Sequence, residues 1–402
     1  MSSNPNLMEH DLAPGLSADS SRVSVVICAG ETSGDRLAAG LVRAALQKRS
    51  DLCFTGMGGP RMREVGVTTL IDVKDLAVVG IWEAIQQYPR LRRLLHRMQT
   101  HIELLRPRLL ILVDYVEFNL RLAAFAKRLG IPVLFYVSPQ IWAWRPQRVH
   151  RIKRSIDAMA VLFPFETAIY EQHSVPVRYV GNPILDAASL PTRDLPTAVP
   201  LPSAARRIGL LPGSRNGEIT RHWPLLVATA ARLHAADPAL QFLVPLAPGI
   251  SREQLRACAD WPDLPIIVLE EPFTARDVMA CSDLLLICSG TATLEAALLQ
   301  TPMLVLYRTS WLTYALGTRL VKLQHIALAN IVAGRGIVPE YLQDRATAPI
   351  IADAAMRLLQ DARALATMRT ELAEVRARLG PPGADQRVAA MALEMLAKQT
   401  IG

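Results

Sequence analysis

The sequence predicts an α/β protein made of two doubly wound, Rossmann-like domains with parallel sheets. Short apolar runs of strand length alternate with longer segments of helical periodicity along most of the chain, as in successive βαβ units. A stretch rich in Pro, Ala and Ser and without period, residues 187–206, divides one series of units from the next. Each series also contains a strand that runs into a glycine-bearing turn opening a helix. With 402 residues the chain is long for one domain and sufficient for two, each able to bury its own core.

The expected boundaries follow. Residues 1–21 are polar, carry acids and lack an apolar core, so they read as a tail and not a signal peptide. Residues 22–186 form the first domain, 187–206 the linker and 207–350 the second domain, the two facing each other across a cleft. Residues 351–402 are Ala/Leu/Arg-rich helices expected to pack across the domains.

In the first domain, Val23 to Gly30 reads as a strand and Gly30-Glu-Thr-Ser-Gly-Asp35 as its loop. The glycines are spaced GxxxG and not GxGxxG, so a dinucleotide fingerprint is not supported. Glu31 lies at the carboxyl end of that strand, where open α/β sheets bind ligands; a helix-start acid facing the dipole is the equal alternative. Leu109-Leu-Ile-Leu-Val-Asp114 is a buried strand ending in a carboxylate, which partial burial would suit to general-base work. Val78 to Trp82, with Arg90, Arg92, Arg93 and Arg97 after them, read as a core-packed helix with a basic face or as a lipid-facing surface. The run from Arg145 to Arg154 is an anion-binding face or a solvated helix.

In the second domain, Arg207–Leu211 is a strand and Pro212-Gly-Ser-Arg-Asn-Gly-Glu218 its loop. Arg215 there offers a fixed planar cation suited to a diphosphate. The buried run Asp283–Cys288 leads into Ser289-Gly-Thr-Ala-Thr-Leu-Glu295, a strand, tight turn and helix start. Backbone N–H groups at such a start have no partner within the helix, and a phosphate fits there. Glu295, one turn in, could accept hydrogen bonds from ribose hydroxyls. An ordinary strand-to-helix turn capped by Ser and Thr is the alternative.

Composition narrows the function classes. Hydrophobic residues at 51% and charged residues at 20% describe a globular protein. Five cysteines without a CxxC, mostly inside apolar runs, suit a reducing, cytoplasmic compartment. No apolar run approaches the ~18 residues that span a bilayer. The formal charge of +8 implies an anionic partner, but no nucleic-acid module is present. No DxD pair occurs, so phosphate handling without metal or other cofactor is expected.

Beyond these readings the chain resembles a family, the lipid-A-disaccharide synthases, glycosyltransferases of the GT-B fold. In the first half the resemblance rests on Ala29-Gly-Glu-Thr-Ser-Gly-Asp35, Gly58-Gly-Pro-Arg-Met62, Tyr136-Val-Ser-Pro139, Trp142-Ala-Trp-Arg145 and Leu162-Phe-Pro-Phe-Glu166. In the second it rests on Leu211-Pro-Gly-Ser-Arg215, Ser289 to Glu295, and Asn330-Ile-Val-Ala-Gly334. It implies inverting transfer from UDP-2,3-diacylglucosamine to the 6-hydroxyl of 2,3-diacylglucosamine 1-phosphate, without metal. It further implies a peripheral protein on anionic lipids at the cytoplasmic face of a Gram-negative inner membrane, which favours the lipid-facing reading of Val78 to Trp82. Asp114 matches the family's base and Glu31 a loop acid that orients the acceptor. Ser214, Arg215, Ser289, Gly290, Thr291 and Thr293 would hold the diphosphate, Glu295 the ribose, and Asn330 would line the site. Around the base the family usually reads Gly-Ile-Asp-Ala-Pro-Asp-Phe-Asn, and this chain reads Leu112-Val-Asp-Tyr-Val-Glu-Phe-Asn119, so the loop geometry differs. Another GT-B enzyme using UDP-N-acetylglucosamine and a catalytically silent membrane-associated relative stay open, as does a homodimer.

Overall fold

The computed structural model describes residues 22–76, 81–142, 147–188, 192–193, 206–261, 263–309 and 324–398. The tail, most of the linker, Val78 and Val79, and the side chains of Ile81 and Trp82 lie outside that set. The chain forms two units: residues up to Pro183 together with Pro382–Gly402, and Ile184–Pro381.

Seven strands make the sheet of the first unit: β1 (Val23–Ala29), β2 (Leu52–Gly58), β3 (Thr68–Asp72), β4 (Leu109–Val113), β5 (Val133–Tyr136), β6 (Ala158–Val161) and β7 (Val177–Tyr179). All pair in parallel, in the order β3-β2-β1-β4-β5-β6-β7. Parallel strands joined by helical crossovers are covered on both faces, which is why β4 is apolar and buried at every position. Alternate residues serve opposite layers. Val25, Ile27, Leu109 and Ile111 pack under the helix Thr32–Lys48, while Val26, Cys28, Leu110 and Leu112 pack under the helices Ile81–Leu105 and Val116–Arg128.

The first layer is closed by a helix that follows the second unit in sequence. Helix Ala384–Lys398 lays Val388, Ala389, Ala392 and Leu396 against Ala38, Leu41, Val42 and Ala45. The approach is close: a Cβ at Gly40 would stand 2.2 Å from Asp385 Oδ2. Arg178 grips Glu394 through two hydrogen bonds of 3.0 and 2.9 Å, and Arg387 Nε donates to Val180 O at 2.7 Å. The other C-terminal helices, Ala348–Gln360 and Ala362–Arg378, belong to the second unit. The segment 351–402 is therefore divided between the two units at Pro381/Pro382.

Six strands make the second sheet: β8 (Arg207–Leu211), β9 (Gln241–Pro245), β10 (Ile266–Leu269), β11 (Leu284–Cys288), β12 (Met303–Tyr307) and β13 (Glu340–Leu342). They too are parallel, in the order β10-β9-β8-β11-β12-β13. Helix Asn216–Ala236 covers one face through Trp223, which is fully buried and packs edge-on against Trp261 at 5.1 Å.

Strand order reverses direction between β1 and β4 in one sheet and between β8 and β11 in the other. Crossovers leave such a point toward opposite faces, so the carboxyl ends of those two strands border an open crevice. Glu31 and Asp114 follow β1 and β4; Arg215 and Ser289 follow β8 and β11.

Candidate active site

At the first reversal, Glu31 and Asp114 line one cavity of about 580 Å³, with Leu91, Leu95, Val116 and Phe118 as apolar wall. The turn that carries Asp114 is strained. Asp114 and Tyr115 stand at φ 50° and 44°, the left-handed region, which costs non-glycine residues roughly 1–2 kcal/mol each. Asn119, fully buried, holds this turn: its Nδ2 donates to Asp114 O at 2.7 Å and to Val113 O at 3.2 Å. The backbone N–H of Asp114 donates to Tyr136 O at 3.0 Å. Tyr115, where the family usually has alanine, lies over Gly30; a Cβ there would stand 2.2 Å from Tyr115 Cγ. Burial, and after it the negative charge of Glu31, push the Asp114 carboxyl above its ordinary 3.8, against one backbone hydrogen bond at Tyr115.

Two family motifs of this half serve the architecture around that cavity. Asp35, buried, accepts from the N–H groups of Gly59, Met62 and Arg61 at 2.7, 3.1 and 3.0 Å, and so begins the helix Pro60–Glu64. Glu166, also buried, accepts from Trp142 Nε1 at 3.2 Å and Phe163 N at 3.1 Å. Burial pushes its carboxyl up to about 7 in spite of those donors.

At the second reversal a cavity of about 1070 Å³ is lined by Ser214, Arg215, Ser289, Gly290 and Thr291, among others. The Arg215 side chain is 82% exposed and its Nη1 lies 3.5 Å from Glu218 Oε1. Glu218 organises the loop: its Oε2 accepts from Ser214 N at 3.0 Å and Arg215 N at 3.3 Å. Gly213 makes room for that carboxylate, at φ 110° and with a would-be Cβ 2.5 Å from Glu218 Oε2. Gly290, at φ 153°, has nothing within 4 Å of the side chain it lacks, so the face of the turn stays open.

Three residues expected on this site lie elsewhere. Thr293 is buried and its Oγ1 donates to Gly290 O at 2.8 Å, bracing the turn from behind. Glu295 is partly buried and not on the cavity wall. Asn330 does not line the site. It is fully buried, its Nδ2 donating to Val338 O at 2.9 Å and Glu340 Oε1 at 2.7 Å, its Oδ1 accepting from Ile337 N and Val338 N at 2.8 and 2.9 Å. Its hydrogen-bonding capacity is spent within the chain, so it clamps the approach to β13.

One residue was missed in the sequence. His222 is fully buried; its Nδ1 meets Pro212 O at 3.2 Å and its Nε2 meets Arg308 N at 2.9 Å, with Cys288 Sγ 3.3 Å from Nδ1. These partners assign the proton to Nδ1 and the lone pair to Nε2. One imidazole thus ties together the ends of β8, β11 and β12, and burial lowers its proton affinity. The signal was a histidine on the apolar face of an amphipathic helix, between Ile219 and Leu226.

A family model described as lipid-A-disaccharide synthetase matches residues 25–392. The chain belongs to that family. It is 44% identical over 374 residues to a lipid-A-disaccharide synthase of Trichlorobacter lovleyi, covering 92% of this chain and 97% of the relative. It is 43% identical over 378 residues to that of Geobacter sulfurreducens, covering 93% and 98%. Among solved structures it resembles a kitacinnamycin glycotransferase (TM-score 0.64, 15% identity, 93% of this chain and 99% of that one). It also resembles a UDP-GlcNAc 2-epimerase from Neisseria meningitidis bound to UDP-GlcNAc (TM-score 0.59, 14% identity, 94% and 100%). At such identities the likeness establishes the fold, that of the GT-B glycosyltransferases. Among the described residues no helix is long and apolar enough to cross a membrane.

Proposed function

We propose that this member of the family condenses UDP-2,3-diacylglucosamine with 2,3-diacylglucosamine 1-phosphate, inverting the donor's anomeric carbon. The observation that carries the assignment of roles is the pairing of Asp114 and Glu31 in one partly apolar cavity at a sheet reversal. In this reading Asp114, ionised, accepts the proton of the acceptor's 6-hydroxyl as that oxygen bonds to the anomeric carbon. The bond from that carbon to the diphosphate breaks at the same time, and UDP leaves. Arg215 and the N–H groups of the turn at Ser289 to Thr291 meet the charge that develops on the diphosphate. The apolar wall receives acyl chains, and the +8 charge favours a peripheral position on anionic lipid at the inner membrane's cytoplasmic face.

The test is release of UDP from the diacylated donor, in EDTA, with and without the monosaccharide 1-phosphate. Acceptor-dependent release is expected to survive EDTA and to fall by about 10²–10⁴ in Asp114→Asn, the range lost with a general base. Retention of more than a tenth of the wild-type rate in that variant would remove Asp114 from the mechanism.

A further inference from the structure

We propose that the acceptor's phosphate binds an arginine cluster on the wall of the first-unit cavity, Arg148 with Arg121 and Arg92, displacing Glu117 from Arg148. The proposal rests on reading that cavity as the acceptor site. It begins from a conflict of charge. The chemistry puts Glu31 and Asp114 in this cavity, and two carboxylates repel a phosphorylated ligand unless cations answer them.

Arginines from three separate helices line the same cavity. Arg92 comes from Ile81–Leu105, Arg121 from Val116–Arg128, and Arg148 opens Arg148–Ser155. Arg92 and Arg121 are exposed and have no carboxylate partner among the described residues. Arg148 differs. Its side chain is only 13% exposed, and its Nη2 is held by Glu117 Oε1, while Arg151 Nη1 stands 3.6 Å from Glu117 Oε2.

The pair is lopsided, because Glu117 is 53% exposed. An ion pair with one partner so open to water is weak, so the carboxylate is readily displaced. A phosphate has more oxygens and more charge to offer a planar guanidinium than a carboxylate has. Leu91, Leu95 and Val116 line the same cavity as these arginines, so it offers both the apolar and the cationic contacts that an acylated sugar phosphate requires. Glu117 follows the base by three residues and Arg121 by seven, on the helix that the strained turn starts. The phosphate contact and the base are therefore set by one element.

The experiment compares the 1-phosphorylated acceptor with the same sugar lacking phosphate, both in neutral detergent micelles. Wild type, Arg92→Gln/Arg121→Gln and Glu117→Gln are assayed for kcat and for KM of donor and of each acceptor. The double variant, changed only at exposed positions, is expected to raise KM for the phosphorylated acceptor about tenfold or more, the loss of charged hydrogen bonds. Its donor KM and its KM for the dephosphorylated sugar stay unchanged. Glu117→Gln is expected to lower KM for the phosphorylated acceptor alone. Binding to phosphatidylglycerol/phosphatidylethanolamine vesicles separates the other source of phosphate. If the double variant loses vesicle binding but keeps its preference for phosphorylated acceptor in micelles, the arginines serve lipid headgroups and the proposal is overturned. An unchanged preference in both the double variant and Arg148→Gln overturns it as well. Failure of the underlying reading looks different: wild type would then show no acceptor-dependent release at all.

Discussion

A carboxylate base must be ionised to act, and Asp114, the proposed base, is held by burial and by Glu31 at a higher proton affinity than an ordinary aspartate. Activity should therefore rise with pH through a limb lying above the usual aspartate range. Glu31→Gln removes the like charge and leaves the burial, so the limb in kcat/KM is expected to move to lower pH; a pH–rate profile of both proteins checks this. An unmoved limb would mean that the two acids do not sense each other. Gly30 gives a second test at this scale. Gly30→Ala forces a Cβ onto the Tyr115 ring and is expected to lower stability by about 1–3 kcal/mol in thermal or urea unfolding. Adding Tyr115→Ala should recover most of that loss, because the clash needs both partners. Asp114 was legible as an acid ending a buried run. The contact of Tyr115 with Gly30 was not, since it joins two strand ends that only the sheet order makes neighbours. Asn330 shows the converse. It was legible as a motif residue, but its role depends on four hydrogen-bond partners that no local pattern reveals.

Loops at strand ends inherit their positions from whatever ties them together, and in the second unit His222 is one such tie. Removing it in His222→Phe frees Pro212 O and Arg308 N at the ends of β8 and β12. Each lost buried hydrogen bond costs about 1–3 kcal/mol in the geometry it supports. Donor KM is expected to rise about tenfold, with acceptor KM unchanged; an equal rise in both would reduce His222 to a general packing role. The sign with pH follows from the tautomer. Nε2 must accept the Arg308 N–H, so only neutral imidazole fits, and its lowered proton affinity keeps it neutral down to more acid pH than the ordinary 6.5. Strands buried on both faces, β4 and β11 above all, were plain in the sequence as unbroken apolar runs. β3 and β13 were not. They are short sheet edges with partly exposed residues, and their extended state comes from β2 and β12 beside them.

The first unit is made of two stretches of chain that are separated in sequence by the whole of the second. Val388 and Leu396 each contribute roughly 1.5–3 kcal/mol of burial, with Ala389 and Ala392 adding less, a large share of the ~5–15 kcal/mol stability of a whole domain. A chain ending at Pro381 is expected to lose the calorimetric transition of the first unit and keep that of the second. Two intact transitions would show that the last helix is dispensable. The Ala-rich periodicity of 384–398 predicts a helix and the face it buries, but a pattern does not say against which surface.

The same discontinuity has a consequence during synthesis. The last helix leaves the ribosome only after the roughly 200 residues of the second unit have been made. At about 5–20 residues per second, that interval is ~10–40 s. Throughout it the nascent first unit carries an uncovered stripe at Ala38, Leu41, Val42 and Ala45, a surface that chaperones recognise and that sticks to other chains. The unit that emerges first is thus finished after the second, and the one bearing the proposed base stays incomplete until helix Ala384–Lys398 has been made.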